Sequence, residues 1–213
     1  MEWGILVILL ILLFTAYVIV QETRAQMHWR GLVASGDVDA VRQLVEAEAE
    51  RWRSERVPKG VPALLWHGVQ TVSLGDVTAT GARVSCTADG EFAVVDGRRV
   101  ETSSPLAEGM KITLKLAEML LYDVPNVKLD RVQVDVYTSF RDETGRAEPR
   151  CILSSRVERR LVERLDWEET AAADFVALVA GRFAPPRQDG GGLGPVEPLP
   201  WGEEPAEETK RSG

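Results

Sequence analysis

Residues 131–140, RVQVDVYTSF, alternate strictly, with Val132, Val134, Val136, Thr138 and Phe140 on one side and Arg131, Gln133, Asp135, Tyr137 and Ser139 on the other. A period of two is the mark of a strand with one buried face. The turn-rich run Arg141-Asp142-Glu143-Thr144-Gly145 then returns the chain as a second strand over 150–160, with Cys151, Leu153 and Val157 on its apolar side. This hairpin is the sheet nucleus from which the rest of the fold is read.

Upstream, Asp89-Gly90 and Asp96-Gly97 suit two-residue hairpin turns. Read literally, they set a meander in which Cys86 faces Ala93, Ala93 faces Val100, and Val84 faces Val95. Residues 69–74 add a further strand. Ser104-Pro105 opens a helix, with Ser104 as cap and Pro105 in the first turn. Leu106, Met110, Leu114, Ala117 and Leu121 form one face, widened by Ile112, Leu116 and Met119. Glu108, Lys111, Lys115 and Glu118 leave only a narrow polar stripe.

Asp37 caps an earlier helix, in which Val38, Val41, Leu44, Val45 and Trp52 recur at helical spacing to about residue 56. Asp166 and Glu169 form a capping pair for a last helix carrying Ala172, Phe175, Val176 and Val179, and Gly181 closes it. The order is helix, meander, helix, hairpin, helix. The sequence therefore predicts an α+β domain: an antiparallel sheet with helices packed on one face.

The amino terminus adds a different element. Residues 4–20, GILVILLILLFTAYVIV, carry no charge, and thirteen of the seventeen are Leu, Ile, Val or Phe. At about 1.5 Å per residue they reach about 25 Å. No Lys or Arg precedes them and no small-residue cleavage pattern follows, so the sequence predicts an uncleaved, single-pass transmembrane helix acting as a signal-anchor. Arg24 and Arg30 follow it, which places the soluble part in the cytoplasm by the positive-inside rule. The expected organisation is a membrane anchor and juxtamembrane helix over 1–30, a soluble α+β domain over 31–183, and a disordered acidic tail over 184–213. In that tail twelve of thirty residues are Gly or Pro.

Composition narrows the chemistry. The net charge is −8 without a basic stripe, which argues against nucleic acid as a partner. Cys86 and Cys151 are two thiols, too few for a disulfide framework or a structural zinc site. The two histidines, His28 beside the anchor and His67 read at a strand start, have no ligand-spaced neighbours, so neither a metal nor a cofactor is expected. No P-loop, metalloprotease helix, serine elbow or kinase signature is present. The glycines at 190–194 lie in the Pro-rich tail, out of context for a dinucleotide site.

The remaining candidate is the polar side of the hairpin. Arg131, Asp135 and Tyr137 stand on one strand and Arg150 and Arg156 on the return strand, a set able to hold an anionic or peptide ligand. The reading that follows is a single-pass membrane protein, placed at the cell membrane, whose α+β domain binds another protein without catalysing a reaction. The alternatives are an extracytoplasmic ligand-binding module and a small hydrolase using Asp135.

Overall fold

The computed structural model describes residues 2–141, 144–184 and 193–202, without the side chains of 2, 4–6, 9, 25 and 28. The first helix, α1 (Glu2–Ala34), ends at a tight turn in which Gly36 takes φ 79°. Asp37 then caps α2 (Val38–Ser54), accepting the N–H groups of Asp39 and Ala40 at 3.0 and 3.1 Å. Capping of this kind contributes about 1 kcal/mol. Val41, Val45, Ala49 and Trp52 are the buried stripe of α2, whereas Val38 stands exposed.

The expected membrane-spanning helix is overturned. Among the described residues, no helix is long and apolar enough to cross a membrane. α1 carries a row of mostly apolar side chains from Leu10 to Val20. These side chains are exposed in the isolated chain. The single-pass signal-anchor, the membrane as a partner, the placement at the cell membrane with a cytoplasmic soluble part, and the extracytoplasmic alternative all rested on that span. They are withdrawn with it, as is the membrane-tethered function built on them.

After Pro58 and Pro62 the chain forms α3 (Ala63–Gln70), so His67 lies within a helix and not at a strand start. The short length of α3 hid it: eight residues with an all-apolar start do not show a helical period. Then come β1 (Ser73–Thr78) and β2 (Gly81–Thr87), paired antiparallel with Leu74 opposite Val84 and Thr78 opposite Gly81.

β3 (Glu91–Val95) and β4 (Arg98–Ser103) do not extend this sheet. They form a separate two-stranded ribbon in which Ala93 does face Val100, but Cys86 faces neither. At the ribbon tip, Asp96 and Gly97 take φ 50° and 75°, the left-handed pair that a two-residue hairpin turn demands. Asp89-Gly90 makes no such turn. There Ala88 donates its N–H to Tyr137 O at 2.9 Å, continuing the main sheet before the ribbon departs.

α4 (Pro105–Glu118) is capped by Ser104, which accepts the Ala107 N–H at 3.2 Å. It continues into a π-helical turn over Met119–Asp123. β5 (Arg131–Arg141) and β6 (Ala147–Glu158) form the expected hairpin, followed by α5 (Arg159–Val162), α6 (Ala172–Leu178) and β7 (Arg182–Phe183). Asp142 lies outside the described residues. Asp166 accepts the N–H groups of Glu168 and Glu169, capping a single turn ahead of α6, whose own cap is Ala171.

The main sheet has the order β1-β2-β5-β6-β7 and is mixed, not antiparallel. β2 and β5 run parallel, with Val84 beside Val134 and Ser85 beside Asp135. The reason lies between them in the chain. A parallel pair needs a crossover, and α4 supplies it by carrying the chain back across the sheet before β5 begins. Ala82, Val84, Cys86, Val132, Val134, Val136, Leu153 and Val157 share the face under the helices, with Ile112, Leu116, Phe175 and Val176 in the same core.

Gly181 follows α6 for a steric reason. Ala180 takes the left-handed position, φ 50°, and Gly181 N–H bonds Val176 O at 2.8 Å, a Schellman closure with Ala where Gly is usual. A Cβ on Gly181 would lie 2.6 Å from both Ser155 Oγ and Val176 Cγ1, so this residue must be small where α6 meets β6.

Candidate functional site

Parallel pairing puts Arg83 of β2 beside Gln133 of β5, and antiparallel pairing puts Arg156 of β6 on its other side. One register step along, Asp135 lies between Ser85 and Ser154. All of these point away from the helices. Even so, Gln133 and Asp135 are 0% and 1% exposed, so the outer face of the sheet is not a wet surface at its centre.

Asp135 is held by three donors. Arg83 Nε donates to Oδ2 at 2.7 Å, Gln133 Nε2 reaches both oxygens at 3.2 and 3.3 Å, and Ser154 Oγ donates to Oδ1. A buried carboxylate needs this: losing a cationic partner in such a place costs several kcal/mol. Burial works against the charge on Arg83, and the hydrogen bond and charge of Asp135, helped by Asp76 at 3.3 Å, more than offset it and raise its pKa. With both oxygens engaged and the group sealed from solvent, Asp135 is not placed as a catalytic base, and the hydrolase reading is withdrawn with it.

What seals this face is the chain's own segment Leu193–Gly202, LGPVEPLPWG. It enters at the edge of β6, where Val196 donates its N–H to Cys151 O at 2.8 Å. Arg182 of β7 donates to Glu197 O at 3.3 Å. Leu199 then sits over the centre of the sheet: its N–H goes to Ser154 Oγ at 2.9 Å, and its carbonyl accepts from Gln133 Nε2 at 2.8 Å. Arg156 donates to Pro200 O. Trp201 ends the path with its ring 5.2 Å from the Arg131 guanidinium, within cation–π range.

The local sequence explains this path. Pro195, Pro198 and Pro200 fix φ near −65° and favour the extended polyproline form. That form has three residues per turn, so the N–H groups of Val196 and Leu199, three apart, fall on one side and can both reach the sheet. Pro198 lies between them, Pro195 and Pro200 flank them, and none of the three presents an N–H that the face would have to satisfy.

All five residues anticipated for this face border the segment. Arg131 faces Trp201 and Arg156 bonds Pro200. Tyr137 and Arg150 line one depression with Pro195, Val196, Glu197 and Pro198. Asp135 touches it through Ser154 and Gln133. Arg150 is otherwise an exposed residue paired with Glu148 at 2.7 Å. Burial, with smaller contributions from the Cys151 and Asp135 charges, raises the Tyr137 pKa.

Arg83, Gln133, Ser154 and Arg182 escaped the sequence reading, as did the segment itself. Two cues were available for the segment: the spacing Pro195-x-x-Pro198, and Trp201, the sole aromatic residue after Phe183. Nothing in the sequence could have pointed to Arg83, because only the parallel register brings it beside Gln133 and within reach of Asp135.

A bulge between Val136 and Tyr137 sets Tyr137 opposite Cys151, moving Cys151 off the apolar face where strict alternation had placed it. Among the described residues no group of three or more His, Cys, Asp or Glu is arranged to hold a metal ion. Compared with known protein families, characterised proteins and solved structures, the chain matches none.

Proposed function

We propose that the outer face of the β2-β5-β6 sheet is a recognition surface for extended, proline-rich peptide segments, and that residues 193–202 occupy it in cis. In this reading the folding unit is 31–183, with 193–202 as a strap across it. The observation that carries the proposal is the pattern of contacts at Leu199, whose N–H and carbonyl are both read by side chains of the sheet, Ser154 and Gln133.

Further polar contacts along the segment go to its backbone, at Val196, Glu197 and Pro200. Backbone reading of a pre-extended chain is how proline-rich ligands are taken at low entropic cost. Hydrogen bonds of this kind contribute about 0.5–1.5 kcal/mol each, while fixing one residue costs about 1–2 kcal/mol. The strap is therefore displaceable, with its prolines reducing what must be ordered.

The test uses the full chain and a labelled peptide of residues 194–202. Leu199→Pro together with Trp201→Ala removes the N–H that Ser154 accepts and the ring that meets Arg131, releasing the strap. The released chain should bind the peptide, and the unmodified chain should bind it at least about tenfold more weakly, because its tethered copy competes at an effective concentration near millimolar. Failure of a released chain with a native circular dichroism spectrum to bind the peptide would end the proposal.

A further inference from the structure

At the end of the segment the contacts change in kind. From Val196 to Pro200 the sheet addresses backbone atoms, but at Trp201 it addresses a side chain. The ring has two neighbours of different character. Arg131 of β5 offers its guanidinium 5.2 Å from the ring centroid. Gly81, at the start of β2, offers space: a Cβ there would lie 3.2 Å from Trp201 Cη2, 3.2 Å from Arg131 O and 3.0 Å from Thr78 Oγ1. Any residue other than glycine would crowd the indole where it meets the sheet.

We infer that Gly81 and Arg131 form an aromatic subsite that sets the specificity of this face. The partner it fits is a proline-rich segment of another chain bearing a Trp two residues after the residue whose N–H and carbonyl are read. The inference rests on the reading of the face as a peptide-recognition surface. Backbone contacts alone accept nearly any extended chain, so they give affinity without choice. A large flat ring over a cation and a bare backbone gives choice, since dispersion and cation–π attraction both scale with the ring and vanish with it. Phe keeps part of both, and Ala keeps neither. In cis the same subsite fixes the register of the strap, because a slip of one residue would put Pro200 or Gly202 where the ring belongs.

The experiment uses the full chain carrying Leu199→Pro and Trp201→Ala, and labelled peptides of residues 194–202 with Trp, Phe or Ala at position 201, read by fluorescence anisotropy. The Trp peptide should bind at least about tenfold more tightly than the Ala peptide, with Phe between them. Arg131→Ala added to this chain should reduce the Trp-to-Ala ratio to below about threefold. Gly81→Ala should reduce it as well, by crowding the ring, and serves where Arg131→Ala disturbs folding. Equal binding of the Trp and Ala peptides, or a ratio untouched by both variants, overturns the subsite and leaves the backbone-reading proposal standing. Loss of binding by every peptide, in a chain with a native circular dichroism spectrum, overturns both.

Discussion

The Ser154 hydroxyl accepts the Leu199 N–H at 2.9 Å while giving its own proton to Asp135. One oxygen thus fastens the strap to the buried charge beneath it. Replacing Ser154 with Ala removes an acceptor from Leu199 and a donor from Asp135 at once. The loss should be about 1–3 kcal/mol, the cost of leaving buried polar groups unpaired. Urea denaturation measures it, and hydrogen exchange at the Leu199 amide should accelerate in the same variant. An unchanged Leu199 exchange rate would show that the hydroxyl does not hold the strap.

Arg83→Met tests the charge pair. Asp135 is 1% exposed, and Arg83 is a cation bonded to it. Removing the partner of a fully buried ion costs about 3–5 kcal/mol, and the partial exposure of Arg83 brings the expectation to about 2–4 kcal/mol. Adding Asp135→Asn to Arg83→Met should recover part of the loss, because the uncompensated charge is gone. A double variant less stable than Arg83→Met would contradict this account.

The end of α6 gives two substitutions of opposite sign. Gly181→Ala pushes a methyl group to 2.6 Å from Ser155 Oγ and Val176 Cγ1 and should cost about 1–3 kcal/mol. Ala180→Gly relieves a side chain held at φ 50° and should stabilise by up to about 1 kcal/mol. Thermal unfolding of the pair decides, and a shift of both Tm values in the same direction would refute these assignments.

Alkaline pH should weaken the fold. Burial, then the nearby Asp135 charge, raises the Cys151 thiol from its ordinary value of 9.0 to about 11, and burial pushes Cys86 up as well. A thiol that titrates later in the folded state than in the unfolded one contributes stability that is present in full below about pH 9. That stability is lost as pH rises from about 9 to 11, since the unfolded chain releases its proton first. For Cys151 the loss is on the order of 2 kcal/mol. Denaturation midpoints at pH 8, 9.5 and 10.5 should fall in that order, and Cys151→Ala should flatten the fall. A midpoint independent of pH in this window would refute it.

Local rules carried the sequence reading where they were sufficient. Asp37 and Ser104 cap their helices because capping needs only a side-chain oxygen and the next three amides. The strict alternation of 131–140 became β5, and Asp96-Gly97 became the ribbon turn. The errors arose where a pattern had more than one solution. Two Asp-Gly pairs looked alike, yet only one closes a turn, because Ala88 is held by Tyr137 of a strand almost fifty residues away. The charge-free run at the amino terminus was read as a span on composition, and the described helix does not sustain that reading.

By itself the sequence determined the elements with a complete local signature: the caps, the hairpin β5–β6, the wide apolar face of α4, and the shared face of Arg131, Asp135 and Tyr137, whereas the bulge sets Arg150 opposite Thr138, on the other face. Only the tertiary structure decided that β2 lies parallel to β5, that Arg83 therefore meets Asp135, and that the polar face is closed by Leu193–Gly202. The reason is the range of the forces involved. Caps, turns and alternation are settled within a few residues, whereas a parallel register and a docked strap are settled by closing loops of about fifty residues and more. There the buried charge of Asp135 and the open N–H of Leu199 find partners that no local pattern names.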